Sequence, residues 1–118
     1  MGGAKGSTAS NPEQLFGLAW SNCFLSALNA VHGQNSPSLK PLPKSTAVRA
    51  HISIGKDAHE KLPGFLLAAE LEVLKGPLKE VGLDNHAIEE LVKGAHDICP
   101  YSRATRGNIE VHIRVVDA

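Results

Sequence analysis

Wound as a helix, the stretch NPEQLFGLAWSNCFLSALNAVHG, Asn11 to Gly33, carries apolar residues on nearly every face. Leu15, Phe16, Leu18, Ala19, Trp20, Cys23, Phe24, Leu25, Ala27, Leu28, Ala30 and Val31 cover almost the whole circumference, and a helix apolar all round is buried on most sides. Its ends are signalled too. Asn11 offers a side-chain acceptor to the free amides of the first turn, Pro12 sits where a missing N–H costs nothing, and Gln14 lies three residues after the cap. Glu13 puts a negative charge at the positive end of the helix dipole, and Gly33 is the expected stop. The pattern predicts a central helix enclosed by a sheet and by a second subunit.

Downstream, Gln34 to Ser45 contains Pro37, Pro41 and Pro43 and predicts an extended loop. From Thr46 the period becomes two, with Val48, Ala50, Ile52 and Ile54 alternating with Arg49, His51 and Ser53, as in a half-buried strand. Gly55 to Lys61 reads as a turn. Phe65 to Leu74 then forms a second strand, with Phe65, Leu67, Ala69, Leu71 and Val73 on one face and Glu70 and Glu72 on the other, although its Ala-Ala-Glu-Leu-Glu run also suits a helix. The two strands are expected to form a hairpin. Lys75 to Gly82 reads as a connector. Asp84 caps a second helix, Leu83 is placed to pack on Ile88, and Ile88, Leu91, Val92, Ala95, Ile98 and Cys99 keep helical spacing until Pro100 ends it. YSRATRGN reads as a polar corner in which Gly107 takes a geometry that a side chain would oppose, and a last strand alternates Ile109, Val111, Ile113 and Val115 with Glu110, His112 and Arg114. The predicted class is α+β, with a central buried helix on a mostly antiparallel sheet. The small polar residues of MGGAKGSTAS predict a flexible lead-in at 1–10, before a single domain at 11–118.

Charge removes several functions. The 118 residues hold 12 Lys plus Arg against 12 Asp plus Glu, so no concentrated positive field is available for nucleic acid or an anionic membrane. A net charge near zero also favours association into an oligomer. The uncharged run from Gln14 up to Lys40 contains polar and turn residues, which argues against a membrane span, and the first ten residues do not read as a signal peptide. An intracellular, cytoplasmic protein is expected.

The two cysteines, Cys23 and Cys99, leave three readings: a structural disulfide in an oxidising compartment, or inert core thiols or a reactive pair in a reducing one. On a helix Cys23 shares its face with Phe16, Ala19, Trp20, Ser26, Ala27 and Ala30, with no cation, and such surroundings raise a thiol pKa. Cys99 ends the second helix, where fraying would let it move, and Arg103 and Arg106 just beyond it are candidate sources of positive charge. His96 lies one turn before Cys99, but with two cysteines and scattered histidines no metal site is expected.

The runs NPEQLFGLAWSNCFLSAL and AHDICPYSRATRGNIEVHIRV resemble the organic hydroperoxide resistance (Ohr) proteins of the OsmC-like superfamily, each motif with its cysteine and both in the family's order. The resemblance covers Asn11 to Val116. It implies an OsmC-like fold in an intertwined homodimer, with active sites at the subunit interface. It also implies a thiol peroxidase that reduces alkyl and fatty-acid hydroperoxides to alcohols, holds no bound cofactor and is regenerated by a dithiol such as a lipoylated protein. Carried over by position, Cys23 matches the peroxidatic cysteine, Cys99 the resolving cysteine and Glu13 the acidic residue that positions an activating arginine. The chemistry implied is a Cys23 sulfenic acid captured by Cys99 as a disulfide. Along a straight helix, Glu13 stands about 15 Å and roughly 80° from Cys23, so it would act through an intermediary, from a partner chain or across a bend.

In the family the arginine lies on a strand upstream of the NPEQLF motif, whereas here MGGAKGSTAS resembles the glycine-rich loop before the central helix. The resemblance therefore implies a chain truncated of its N-terminal strands, with Arg103, Arg106 or an arginine of a partner as substitute. A second reading is a catalytically silent truncated relative that binds an apolar ligand or a protein partner through an uncovered central helix.

Overall fold

A computed structural model describes residues 11–57 and 64–117. The lead-in expected at 1–10 and most of the turn after Gly55 lie outside the described residues. The first helix, α1 (Pro12–Asn35), starts as its sequence dictates. Asn11 Oδ1 accepts from the Gln14 amide at 2.7 Å, and Gln14 Oε1 accepts from the Asn11 amide at 3.0 Å. Gly33 does not stop it. The helix runs on to Asn35 and ends where Ser36 precedes Pro37, because a residue before proline is pushed out of the helical region while one interior glycine costs only about 1 kcal/mol.

β1 (Val48–Asp57) and β2 (Gly64–Leu74) form the expected antiparallel hairpin, with Ala50 opposite Leu71 and Arg49 opposite Glu72. The strand reading of 65–74 thus prevails over the helical one, since its alternate residues Ala69, Leu71 and Val73 are needed on the core face. Two connectors are helical instead of irregular. Lys75 to Glu80 forms α2 (Lys75–Glu80), with Pro77 inside the first turn where its missing N–H has no helical partner to lose. α3 (Asn85–Ile98) begins at Asp84, whose Oδ1 accepts from the Ala87 amide at 2.8 Å, and Leu83 and Ile88 are both buried at its start. Pro100 then opens another short helix, α4 (Pro100–Thr105), in the segment read as a polar corner. Gly107 has φ +80°, so the backbone there does favour glycine.

β3 (Glu110–Val116) joins β2 in parallel, with Leu71 opposite Ile113. The helical crossover α2–α4 makes that direction possible. The sheet order is β1-β2-β3, antiparallel over the longer pairing and parallel at the last strand, in an α+β arrangement.

The helices cover one face of this sheet. Trp20, Phe24, Leu28, Leu71, Val73, Leu78 and Ile88 are fully buried at the centre. Two glycines set how closely α1 is held. A Cβ on Gly17 would meet Ile52 Cγ1 of β1 at 3.1 Å, and one on Gly94 of α3 would meet Val31 Cγ1 of α1 at 3.0 Å. The enclosure of α1 is partial in this chain: Leu15 and Leu18 are 55% and 61% exposed. No described helix is long and apolar enough to cross a membrane.

The opposite sheet face is a charge ladder. Glu72 lies between Arg49 and Arg114 on the neighbouring strands; its Oε1 pairs with His51 Nε2 and its Oε2 accepts from Arg114 Nη2 at 3.0 Å, while Arg114 Nε also pairs with Glu70. The His51 hydrogen bond, with the neighbouring positive charges, holds the Glu72 carboxyl below its ordinary value of 4.5.

Two outcomes are expected. Gly94→Val, which forces a branched side chain into Val31, should lower the unfolding free energy by about 1–3 kcal/mol in urea titrations. A carboxyl with a depressed folded pKa stabilises above its unfolded pKa and loses that contribution as pH falls through the folded value. The stability gap between wild type and Glu72→Gln should therefore be present at neutral pH and shrink in acid, below about 4.5, when urea midpoints are compared across pH.

Candidate functional site

α1 carries Cys23 one turn beyond Trp20, on a partly exposed flank of the helix. Cys99 arrives from the other end of the chain. Its backbone is extended, at φ −60° and ψ 123°, so that it serves both as the C-cap of α3 and as the N-cap of α4. The cause is local: Pro100 has no amide hydrogen and disfavours helix at the residue before it. Cys99 is fixed on both sides, its amide donating to Ala95 O at 2.9 Å and its carbonyl accepting from Arg103 N at 2.9 Å. The thiol is fully buried, and the helix end expected to fray is hydrogen-bonded on both sides of the cysteine.

The bend brings the two sulfurs together. Cys99 Sγ and Cys23 Sγ are 3.5 Å apart across 76 residues of sequence, both as free thiols. A disulfide needs about 2.05 Å, so the pair lies within reach of bond formation by a small movement. Beside it, Trp20 Nε1 donates to Ser102 Oγ at 3.3 Å, with both residues fully buried. The Phe16 ring lies 5.4 Å from Trp20 and 6.0 Å from Tyr101, which gives an aromatic rim between α1 and α4. Sequence reasoning placed Phe16 and Trp20 near Cys23 but missed Tyr101 and Ser102. The signal that could have found them is Pro100 itself, a residue suited to the first position of a new helix.

Electrostatics do not favour the thiolate. Burial pushes the Cys23 thiol above its ordinary value of 9.0; the Tyr101 backbone amide acts in the opposite direction, and the neighbouring Cys99 thiol raises it further. No arginine contributes. Arg106 Nη2 instead donates to the His96 carbonyl at 2.8 Å, and Arg103 is exposed on α4. His96 has its own pKa lowered by burial and by Arg106. Among the described residues no three His, Cys, Asp or Glu side chains converge as a metal site would require.

Glu13 is not brought to the sulfurs. It lines a separate open groove of about 370 Å³ between the start of α1 and β1, with Gln14, Gly17, Leu18, Ala50 and Ile52. Its Oε2 is buried with no hydrogen-bond partner among the described residues. A buried carboxylate oxygen left in this state costs on the order of 1–3 kcal/mol, so the groove has the chemistry of a cation acceptor.

The OsmC-like protein model matches residues 3–114, nearly the whole chain. The chain belongs to the OsmC-like family. An organic hydroperoxide resistance protein of Xanthomonas axonopodis pv. citri is 39% identical over 112 residues, which is 94% of this chain and 69% of that protein. OhrA of Bacillus subtilis is 38% identical over 109 residues, 92% of this chain and 69% of the relative. Among solved structures, an organic hydroperoxide resistance protein from Legionella pneumophila superposes with a TM-score of 0.76 at 33% identity, covering 93% of this chain and 72% of that one. OhrB of Bacillus subtilis gives 0.71 at 29% identity, covering 95% and 74%. The OsmC-like fold and the Ohr resemblance read from the two cysteine motifs therefore stand.

One measurement tests the electrostatic picture. Site-resolved alkylation of the reduced chain should show Cys23 reacting with a pH midpoint above 9.0; a midpoint below it would mean that a cation reaches the sulfur.

Proposed function

We propose that this OsmC-like chain is a thiol-dependent peroxidase that reduces organic hydroperoxides, alkyl or fatty-acid, to alcohols. The observation that carries the reading is the pair of free thiols 3.5 Å apart, one partly exposed on α1 and the other buried at the α3–α4 bend. Cys23 as thiolate attacks the distal peroxide oxygen, the O–O bond breaks, and the alkoxide leaves and takes a proton to become the alcohol. Cys23 is left as a sulfenic acid. The Cys99 sulfur then attacks the Cys23 sulfur, and the sulfenic hydroxyl departs with a proton as water, leaving a Cys23–Cys99 disulfide. A dithiol reductant of the lipoyl type, free or on a protein, returns both thiols. The names of the relatives support the organic hydroperoxide as substrate.

Within this reading the residues have distinct duties. Cys23 is the nucleophile and Cys99 the resolving thiol, while Glu13 is the acceptor for a cation that catalysis recruits to lower the Cys23 pKa from its raised value in the chain by itself. The Glu13 oxygen, without a hydrogen-bond partner among the described residues and set in an open groove, supports that last role. The apolar rim of Phe16 and Tyr101 suits an organic tail. An intertwined homodimer fits the exposed Leu15 and Leu18, and two free cysteines suit a reducing compartment such as the cytoplasm. The same exposed leucines, with a Cys23 pKa raised by burial, favour the alternative of a silent relative that binds an apolar ligand or protein partner.

The two readings separate in one experiment. Reduced chain mixed with cumene hydroperoxide should lose two thiols per peroxide consumed. Cys99→Ser should react once and hold a sulfenic acid that dimedone traps, and Glu13→Gln should slow the first step. Cys23→Ser should be inert. Equal peroxide consumption by Cys23→Ser and wild type would sink the assignment, and intact thiols in wild type would favour the silent relative.

A further inference from the structure

We propose that Trp20 and Ser102 are a positioning pair that sets how readily Cys23 and Cys99 join, and hence the reduction potential of the dithiol. The inference rests on the thiol-pair reading above for its use, although not for its measurement. Trp20 and Cys23 are three residues apart on α1, and Cys99 and Ser102 are three apart across the start of α4. Residues at that spacing are neighbours on one helix face. The indole-to-hydroxyl bond of 3.3 Å and the sulfur-to-sulfur contact of 3.5 Å therefore run side by side between the same two elements.

Ser102 is the one buried residue of α4, whose other side chains are half-buried or exposed. The short helix is thus tied to α1 at this hydroxyl, beside the Phe16–Tyr101 ring contact and the Tyr101 amide that faces the Cys23 thiol, and Cys99 is its N-cap. Trp20 is fully buried, so its N–H has no access to water. An unmade bond there would leave a buried donor unsatisfied, which favours the placement of α4 that also puts the sulfurs in reach. Bringing the sulfurs from 3.5 Å to a bond of about 2.05 Å depends on how narrowly that placement is held. Loss of the clasp widens it and lowers the effective concentration of one thiol at the other.

The test is a glutathione titration of the whole chain. The protein dithiol and glutathione disulfide give the Cys23–Cys99 disulfide and two glutathione thiols: the glutathione S–S bond breaks, the protein S–S bond forms, and two electrons and two protons pass to glutathione. Trp20→Phe and Ser102→Ala should each lower the equilibrium constant about tenfold, a potential about 30 mV less negative. The double variant should match the worse single one, because both remove the same bond. Leu78→Ala, a core variant on α2, which carries neither partner of the hydrogen bond, should unfold more easily yet keep the wild-type constant.

Wild-type constants in both single variants would overturn the proposal, as would multiplying effects in the double variant or an equal shift in Leu78→Ala. So would a wild-type chain that forms no Cys23–Cys99 disulfide. If one clasp variant fails to fold, the other carries the comparison. No peroxide enters this titration, so a chain that fails to reduce hydroperoxide but shows the coupled shift loses the peroxidase reading and keeps the clasp.

Discussion

Pro100 cannot extend α3, and the geometry of the thiol pair depends on that prohibition. Because it lacks an amide hydrogen and pushes Cys99 into extended backbone, the chain must turn at the cysteine and restart as α4. A continuous helix would have no bend to hold the thiol and no α4 to return Ser102 to Trp20. With the bend, Cys99 is held by hydrogen bonds to both helices, its thiol buried and facing Cys23. The partner surface is prepared by packing. Gly17 and Gly94 allow α1 to approach β1 and α3 within side-chain contact, so the helix that carries the second sulfur is itself closely seated.

Reactivity and placement pull in opposite directions at this site. The burial that brings the sulfurs together also disfavours a thiolate, and one backbone amide works against it. Chemistry at Cys23 therefore calls for a positive group. The nearest candidates in sequence are committed or turned away, Arg106 to the His96 carbonyl and Arg103 to solvent. Glu13, at the start of the same helix, has a buried carboxylate oxygen without a donor among the described residues, in an open groove.

The sheet separates these demands. Its inner face, Ala69, Leu71 and Val73 with Val111, Ile113 and Val115, packs toward the helices that carry the cysteines. Its outer face places His51, Glu70, Glu72 and Arg114 in a connected ladder that ties all three strands through charged hydrogen bonds. Period-two alternation keeps the two apart: one register satisfies both the core and the ladder.

Much of this was written in local signals. The Asn11 to Gln14 capping box, the alternation of Val48 to Ile54 and the Asp84 cap each depend on residues a few positions apart, and each formed as read. The two cysteine motifs also identified the family. Local signals failed where a competing preference was a few residues away: Pro37 overruled Gly33 as the stop of α1, and Pro100 opened a helix in a run that looked like a polar corner. Composition made α1 apolar all round, but only packing decided that Trp20 lies in the core while Leu15 and Leu18 stay open. The parallel direction of β3, the 3.5 Å between Cys23 and Cys99 and the bond from Trp20 to Ser102 join residues distant in sequence. Sequence determines the ends and faces of its elements because those follow from near neighbours. Which thiol meets which hydroxyl and helix is decided by the one way those faces can be buried together.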